Sequence, residues 1–278
     1  MNVLEFTAVI FAGSVAAGFL GALTGLGGGV VIVPMLVLLF GVDIRYAAGA
    51  SLVSVIATSS GSAAAYVRKG YTNVRIGMFL ETATTMGALA GAFLTTRLRP
   101  SLVSTVFGMV LLHSAYLSFT TRHQVEKIQA PDPLATRLRL DGSYPTSEGA
   151  ESYRVQNVPA GFALMLVAGT LSGLLGIGSG AFKVLALDRA MRIPFKVATT
   201  TSNFMIGVTA AASAGVYLNR GYLDPGLAMP VMLGVLIGSL LGVRQLFKRT
   251  TTLLRAVFSV VILFLAVEMI YNGITGRL

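Results

Sequence analysis

A run of 37 residues, Phe6–Val42, carries no charged side chain, and its length constrains the fold more than any other feature. As one α-helix rising 1.5 Å per residue it would be about 55 Å long, against a hydrocarbon core of ~30 Å. The run must therefore break. Its weakest helix is Gly25-Leu26-Gly27-Gly28-Gly29, because each glycine costs about 1 kcal/mol relative to alanine in a helix interior. The spacing predicts a long arm over about 6–24 and a short arm over about 30–41.

The same break recurs 151 residues later as Gly176-Ile177-Gly178-Ser179-Gly180. Aligned without a gap, residues 18–99 and 169–250 share 20 identities in 82 positions. Among them are Ser51/Ser202, Thr58/Thr209, Tyr66/Tyr217, Gly70-Tyr71/Gly221-Tyr222, Gly87/Gly238 and Gly91/Gly242. The second copy predicts arms over 157–175 and 181–191. Two hydrophobic units broken by glycine at matching places point to a membrane transporter whose site lies between the halves.

Composition agrees with a chain that lives in lipid. It is 54% hydrophobic and 12% charged, with a mean hydropathy of +0.77, where soluble domains carry about 25% charged residues. Further apolar stretches predict helices over 46–67, 74–97, 101–119, 197–218, 226–247 and 254–272. Each half then has five segments, counting both arms, and an odd number turns the second copy upside down. The expected fold is an all-α polytopic membrane protein of two inverted repeats, 1–119 and 158–278, joined by a polar linker, 120–157. An even count per half would instead give parallel repeats. Pro131, Pro133, Gly142 and Pro145 predict little regular structure in the linker. The short arm of the second copy holds Lys183, Asp188 and Arg189, so it must pack inside protein or line a wet cavity, as a re-entrant or broken helix.

The net charge is +10, but the linker region sums to zero, with five basic residues from Arg122 to Arg154 against five acidic ones from Glu126 to Glu151. The excess sits at the ends of apolar runs, which is the pattern of positive-inside topology and head-group anchoring in a lipid bilayer rather than of a nucleic-acid partner. The bias places 188–196, 244–255 and the linker in the cytoplasm and 219–224 outside, for a multi-pass protein of the cytoplasmic (inner) membrane. The segment beginning MNVLEF lacks a basic n-region and reads as a retained helix. There is no cysteine, and His113 and His123 alone make no metal cluster. No HExxH, GxSxG or paired-carboxylate motif stands out, so no enzyme, metal or cofactor is expected. A homodimer is compatible with the sequence.

Candidate site residues follow from the breaks. A helix that restarts after glycines exposes free N–H groups and the positive end of its dipole, which suits an anion. Gly25, Gly27, Gly28 and Gly29, with Gly176, Gly178, Ser179 and Gly180, are therefore substrate-binding candidates. Gly87, Gly91, Gly238 and Gly242 fit close helix packing instead. Lys183, three residues past Gly180, can neutralise an anion or snorkel to the interface. Ser51, Thr201, Ser202 and Asn203 supply small hydrogen-bond donors at the start of the third segments, where capping and helix–helix bonds are the competing roles. Glu81, within an apolar segment, is a candidate proton-coupling group or an interior ion-pair partner. Glu268 and His113 are weaker candidates nearer segment ends, and Arg45 and Lys196 are matched cations suited to interface anchoring.

These residues resemble the sulfite exporter TauE/SafE family. The resemblance rests on Gly21-x-Leu23-x-Gly25-Leu26-Gly27-Gly28-Gly29 followed by Pro34-Met35-Leu36, on Ala47–Leu52, on Tyr66–Asn73, and on the second copy with Thr199–Asn203. It covers nearly the whole chain outside the linker. One departure is Ala181-Phe182-Lys183-Val184-Leu185, charged and without the proline that members of this kind often carry there. The resemblance implies transport, chiefly export, of a small sulfur-containing anion such as sulfite, sulfoacetate or a similar organosulfonate, by alternating access as a secondary transporter or uniporter. An anion channel of the same fold, and a membrane enzyme or assembly subunit, are the alternatives.

Overall fold

The computed structural model describes residues 2–24, 28–68, 70–120, 132–146, 149–246 and 252–276. In chain order the elements are α1 (Val3–Thr24), α2 (Gly29–Phe40), α3 (Ile44–Arg68), α4 (Val74–Thr95), α5 (Pro100–Thr120), α6 (Pro133–Arg137), β1 (Gly142–Thr146), β2 (Gly149–Tyr153), α7 (Val158–Leu175), α8 (Gly180–Leu185), α9 (Phe195–Asn219), α10 (Pro225–Leu246) and α11 (Thr252–Thr275). A π-helical turn, Ala186–Ala190, continues α8. Among the described residues, α4 and α7 are long and apolar enough to cross a membrane, and α1, α2, α5, α10 and α11 hold shorter apolar stretches. The architecture is that of an all-helical membrane protein.

The helix boundaries follow local chemistry. Gly41, at φ +64°, ends α2 with its N–H on Val37 O at 3.2 Å, a left-handed stop that glycine adopts without strain. Asn73 opens α4 by accepting from Ile76 N at 3.0 Å, and Pro194 and Pro225 mark the starts of α9 and α10. Both long apolar runs break where glycine is concentrated, after Thr24 and after Leu175.

Helix pairs meet through glycine. A Cβ on Gly87 would lie 2.8 Å from Thr170 N, and one on Gly173 would lie 2.8 Å from Ala92 N, so α4 and α7 touch backbone to backbone. α1 and α10 do the same at Gly18, where a Cβ would fall 2.7 Å from Val235 Cα, and at Gly234, 2.7 Å from Phe11 O. Gly108 and Gly273 play this part between α5 and α11. Lipid is as apolar as a leucine side chain, so association inside a bilayer depends on such close contact rather than on the hydrophobic effect.

The bundle has two distinct ends. At one, Phe6 meets Phe40 edge-on with centroids 5.6 Å apart, Arg45 Nη2 donates to Leu98 O at 2.8 Å, and Tyr46 packs on Tyr222. At the other, Thr200 Oγ1 donates to Tyr71 O at 2.9 Å, Asn73 N donates to Thr201 Oγ1 at 3.1 Å, and Asn157 Nδ2 donates to Ala190 O at 3.3 Å. Two features follow. Helices α3 and α9 run antiparallel. The pairs α1–α2 and α7–α8 are hairpins whose open ends lie at opposite ends of the bundle, the second with its short arm lengthened by the π turn. The short arms are interior: α2 is buried from Gly29 to Val37, and Lys183 of α8 is fully buried.

The linker departs from expectation. Regular structure occupies much of 132–146 and 149–157: β1 and β2 form an antiparallel ribbon with register Gly142↔Tyr153 to Thr146↔Gly149, preceded by α6. Prolines suggested otherwise, but in a two-stranded ribbon both strands are edges, and Pro145 can sit on one because the missing N–H faces outward. Docking supplies the rest. Asn73 Nδ2 donates to Tyr153 Oη at 2.8 Å and Leu140 O at 3.1 Å, while Leu140, Tyr153 and Val155 join a core with Ile76 and Val197. Asp132 Oδ1 accepts from Leu134 N and Oδ2 from Val158 N, tying α6 to α7. Burial alone would raise the Asp132 carboxyl, but the surrounding backbone N–H groups of Val158, Leu134, Ala135 and Asn157 hold it below its usual range. Residues 121–131, with the cations and acids assigned there, and residues 247–251 lie outside the described residues.

The glycine contacts predict that Gly169→Val, whose Cβ would fall 2.8 Å from Thr84 Cα, costs about 1–3 kcal/mol or more by overpacking. A lowered thermal midpoint of the detergent-solubilised protein, with Ala163→Val as an exposed control on the same helix, checks this.

Candidate functional site

The second glycine break holds three successive departures from ordinary backbone: Gly176 at φ +70°, Gly178 at +69° and Ser179 at +45°. Side chains are strained there, and space is also short. A Cβ on Gly176 would lie 2.6 Å from Ala48 Cβ, and one on Gly178 would lie 2.8 Å from Ile206 Cγ2 and 3.2 Å from Val55 Cγ1. The loop is thus held between α3 and α9.

The last turn of α7 has carbonyls that no helical N–H can reach, and side chains from other elements take them. Tyr217 Oη donates to Gly173 O at 3.0 Å, Thr95 Oγ1 to Leu174 O at 2.8 Å, and Ser51 Oγ to Gly176 O at 2.7 Å. One turn earlier, Ser179 Oγ donates to Ala168 O at 2.7 Å. Across the loop, Ser202 Oγ donates to Gly180 O at 3.3 Å.

The first break comes to the same place. A Cβ on Gly29 would fall 2.6 Å from Ser51 Oγ and 3.4 Å from Ile177 Cα. Gly28, buried beside it, leaves room for Val235 of α10. The structure therefore brings together Gly28, Gly29, Ser51, Gly176, Gly178, Ser179, Gly180 and Ser202. Gly25 and Gly27 lie outside the described residues. Thr201 belongs elsewhere: its hydroxyl oxygen accepts from Asn73 N, and its methyl faces Gly77. Asn203 is half-buried, and no hydrogen bond ties its amide within the described residues.

Lys183 and Glu81 converge on one network. Lys183 Nζ, fully buried, donates to Thr209 Oγ1. Thr209 Oγ1 donates in turn to Glu81 Oε1 at 2.6 Å, and Thr85 Oγ1 reaches the same oxygen at 3.2 Å. Glu81 Oε2 is buried without a hydrogen-bond partner among the described residues. Sequence reasoning named the two charged residues in separate roles and passed over Thr209, although its match to Thr58 marked it. Thr58 itself bonds only its own helix, at Ser54 O and Val55 O.

The weaker candidates find ordinary surroundings. Arg45 lies over the Tyr222 ring at 5.5 Å besides bonding Leu98 O. His113 stacks on Phe182 with centroids 5.5 Å apart, and Glu268 Oε2 accepts from Asn272 Nδ2 at 3.4 Å. Among the described residues no three His, Cys, Asp or Glu side chains gather as a metal site would need.

The family model described as sulfite exporter TauE/SafE matches residues 10–269. The chain belongs to the TauE/SafE family. Relatives that match over most of their own length bear transporter names. The probable membrane transporter protein YunE of Bacillus subtilis (strain 168) is 28% identical over 98% of this chain and 99% of its own length. The probable membrane transporter protein YdhB of the same organism is 26% identical over 85% and 87%. A probable membrane transporter protein of Xylella fastidiosa (strain 9a5c) is 25% identical over 98% of both. No solved structure matches the chain significantly. This TauE/SafE protein is accordingly a member of a membrane transporter family, with no enzyme named among these relatives.

Two substitutions test how the breaks are held. Ser51→Ala removes the bond to Gly176 O and is expected to cost about 1 kcal/mol. Gly176→Ala is expected to cost more, because alanine at positive φ pays about 1–2 kcal/mol before its Cβ meets Ala48. Equilibrium unfolding in detergent should rank them in that order.

Proposed function

We propose that this TauE/SafE protein is a multi-pass carrier of the cytoplasmic membrane that moves a small sulfur-containing anion, such as sulfite, sulfoacetate or a related organosulfonate, by alternating access, chiefly outward. The observation that carries this reading is the meeting of two helical hairpins, open toward opposite ends of the bundle, with their glycine tips side by side at Ser51. Irregular backbone at membrane depth is found where it is enclosed by protein or lines a cavity, and in transporters it marks the substrate site.

The packing supports two inverted repeats, 1–119 and 158–278, as the moving halves. The contact of α1 with α10 has its counterpart in α7 with α4; α3 with α10 corresponds to α9 with α4. The equivalent helices α3 and α9 run antiparallel, as inversion requires. Arg75, Arg139, Arg154, Arg189, Arg192 and Lys196 sit at the linker end, against Arg45, Arg97, Arg99 and Arg220 at the other, a bias that supports a cytoplasmic linker end.

The donors suit an anion. The Asn203 amide, the glycine peptide groups and the Lys183 ammonium surround the two tips or flank them, and the Ser51 and Ser202 hydroxyls, which bond Gly176 O and Gly180 O here, become donors once those bonds open. Most are buried, so substrate enters only when the tips part. The family description, sulfite exporter, supplies the substrate class and the outward direction. The bilayer and the anion are then the partners the chain needs.

The test is radiolabelled flux in proteoliposomes. Sulfite or sulfoacetate should move saturably, with counterflow, and Asn203→Ala and Gly178→Val should lower the rate about tenfold or more in folded protein. Flux without saturation or counterflow would make the protein a channel. Folded wild-type protein that moves neither anion would overturn the substrate assignment.

A further inference from the structure

We infer that Glu81, Thr209 and Lys183 form a proton-coupling site, in which the carried anion and the Glu81 carboxylate take turns on one ammonium, so that one proton binds Glu81 for each anion that binds Lys183. The inference rests on the carrier reading above and adds the ion that travels with the anion; outward movement then follows the anion's own gradient, because an inside-alkaline pH gradient favours entry.

Three helices contribute one polar group each. Lys183 stands on α8, one turn past the second glycine break; Thr209 on α9; Glu81 on α4. The lysine is fully buried and Glu81 is 8% exposed, so each charge depends on the other in this low-dielectric interior. A single hydroxyl connects them. Thr209 accepts from Lys183 Nζ and passes its own proton toward Glu81 Oε1, an orientation that fits an ammonium on one side and a carboxylate on the other.

Glu81 Oε2 is the telling atom. A buried carboxylate oxygen normally accepts two hydrogen bonds or an ion, yet this one has no partner among the described residues. A proton added there neutralises the carboxylate while leaving the Thr209 and Thr85 bonds to Oε1 in place. Lys183 is then an uncompensated cation beside the glycine tips, and an anion restores neutrality. The steps balance: water delivers one H⁺ to Oε2, the anion takes the place of the carboxylate as counter-ion, and both leave together.

Among the described residues the surroundings offer no other counter-ion of comparable reach. Helix α7, packed on α4, carries no titratable side chain. On α9, Lys196 is exposed near the first turn and Tyr217 is engaged with Gly173 O. On α4, Arg75 bonds Arg139 O at the linker end. Asp188 and Arg189 lie one turn or more beyond Lys183, half-buried and exposed respectively, and His113 of α5 stacks on Phe182 at an exposed position.

The experiment clamps the voltage at zero in proteoliposomes and imposes one pH unit across the membrane. Sulfoacetate is used first, because its protonation does not change near neutrality; sulfite, corrected with protein-free vesicles, serves if wild type exchanges only that. The expected result is wild-type accumulation approaching tenfold on the alkaline side, since one proton per anion converts one pH unit into a tenfold ratio. Glu81→Gln should still exchange labelled for unlabelled anion but accumulate none, and Thr209→Val should shift the pH of half-maximal exchange. Wild type that exchanges anion yet ignores the pH gradient would overturn the inference and leave the carrier standing. So would Glu81→Gln that still accumulates. Folded wild type without any exchange would remove the carrier reading, and the coupling with it.

Discussion

A helix that stops inside a bilayer leaves carbonyls and N–H groups that water cannot reach, and everything in this structure is arranged around satisfying them. At the end of α7, three elements lend side chains: Ser51 from α3, Thr95 from α4 and Tyr217 from α9. Each bond is worth about 1 kcal/mol when made, but the unmade alternative is a desolvated peptide group costing several times more in lipid. The break is therefore stable only inside this set of helices, and the helices are registered by the break.

Much of this was legible beforehand. The break after Thr24 follows from length alone, since no single helix of 37 apolar residues fits the membrane. The second break follows from the repeat, and helix limits fall within a few residues of their predicted places because prolines and glycines mark them. What sequence could not supply were contacts between distant segments. Nothing local shows that Thr201 would serve the Asn73 turn while Ser51, its near neighbour by repeat position, would hold Gly176. The convergence of Lys183 and Glu81, 102 positions apart in the sequence, depends on how α4, α8 and α9 cross. The ribbon of β1 and β2 was hidden for a different reason: its stability comes from docking on Asn73 and Ile76 rather than from its own composition.

The repeats share a scaffold but not a charge pattern. Lys183 corresponds to Ile32 and Glu81 to Met232 in the alignment of the two copies. Glycine, serine and tyrosine positions that hold backbone to backbone are kept in both halves, whereas the ionisable pair is found in one arrangement, joining α8 of the second half to α4 of the first. The two copies of the sequence thus agree at packing positions and differ at ionisable ones. Thr209 shows both sides of this: its counterpart Thr58 is present, and among the described residues its hydroxyl bonds its own helix, at Ser54 O and Val55 O.

The linker ribbon has a mechanical meaning as well. Through Asn73 it grips the turn between α3 and α4, through Gln156 N on Met191 O it grips the end of the α8 arm, and Asp132 adds the start of α7. These contacts clasp pieces of both halves at one end of the bundle, with no described counterpart at the other. A rocking motion would then be hinged rather than balanced: the clasped end turns about a fixed seam, and the wider excursion falls to the end where Phe6 meets Phe40 and Tyr46 meets Tyr222.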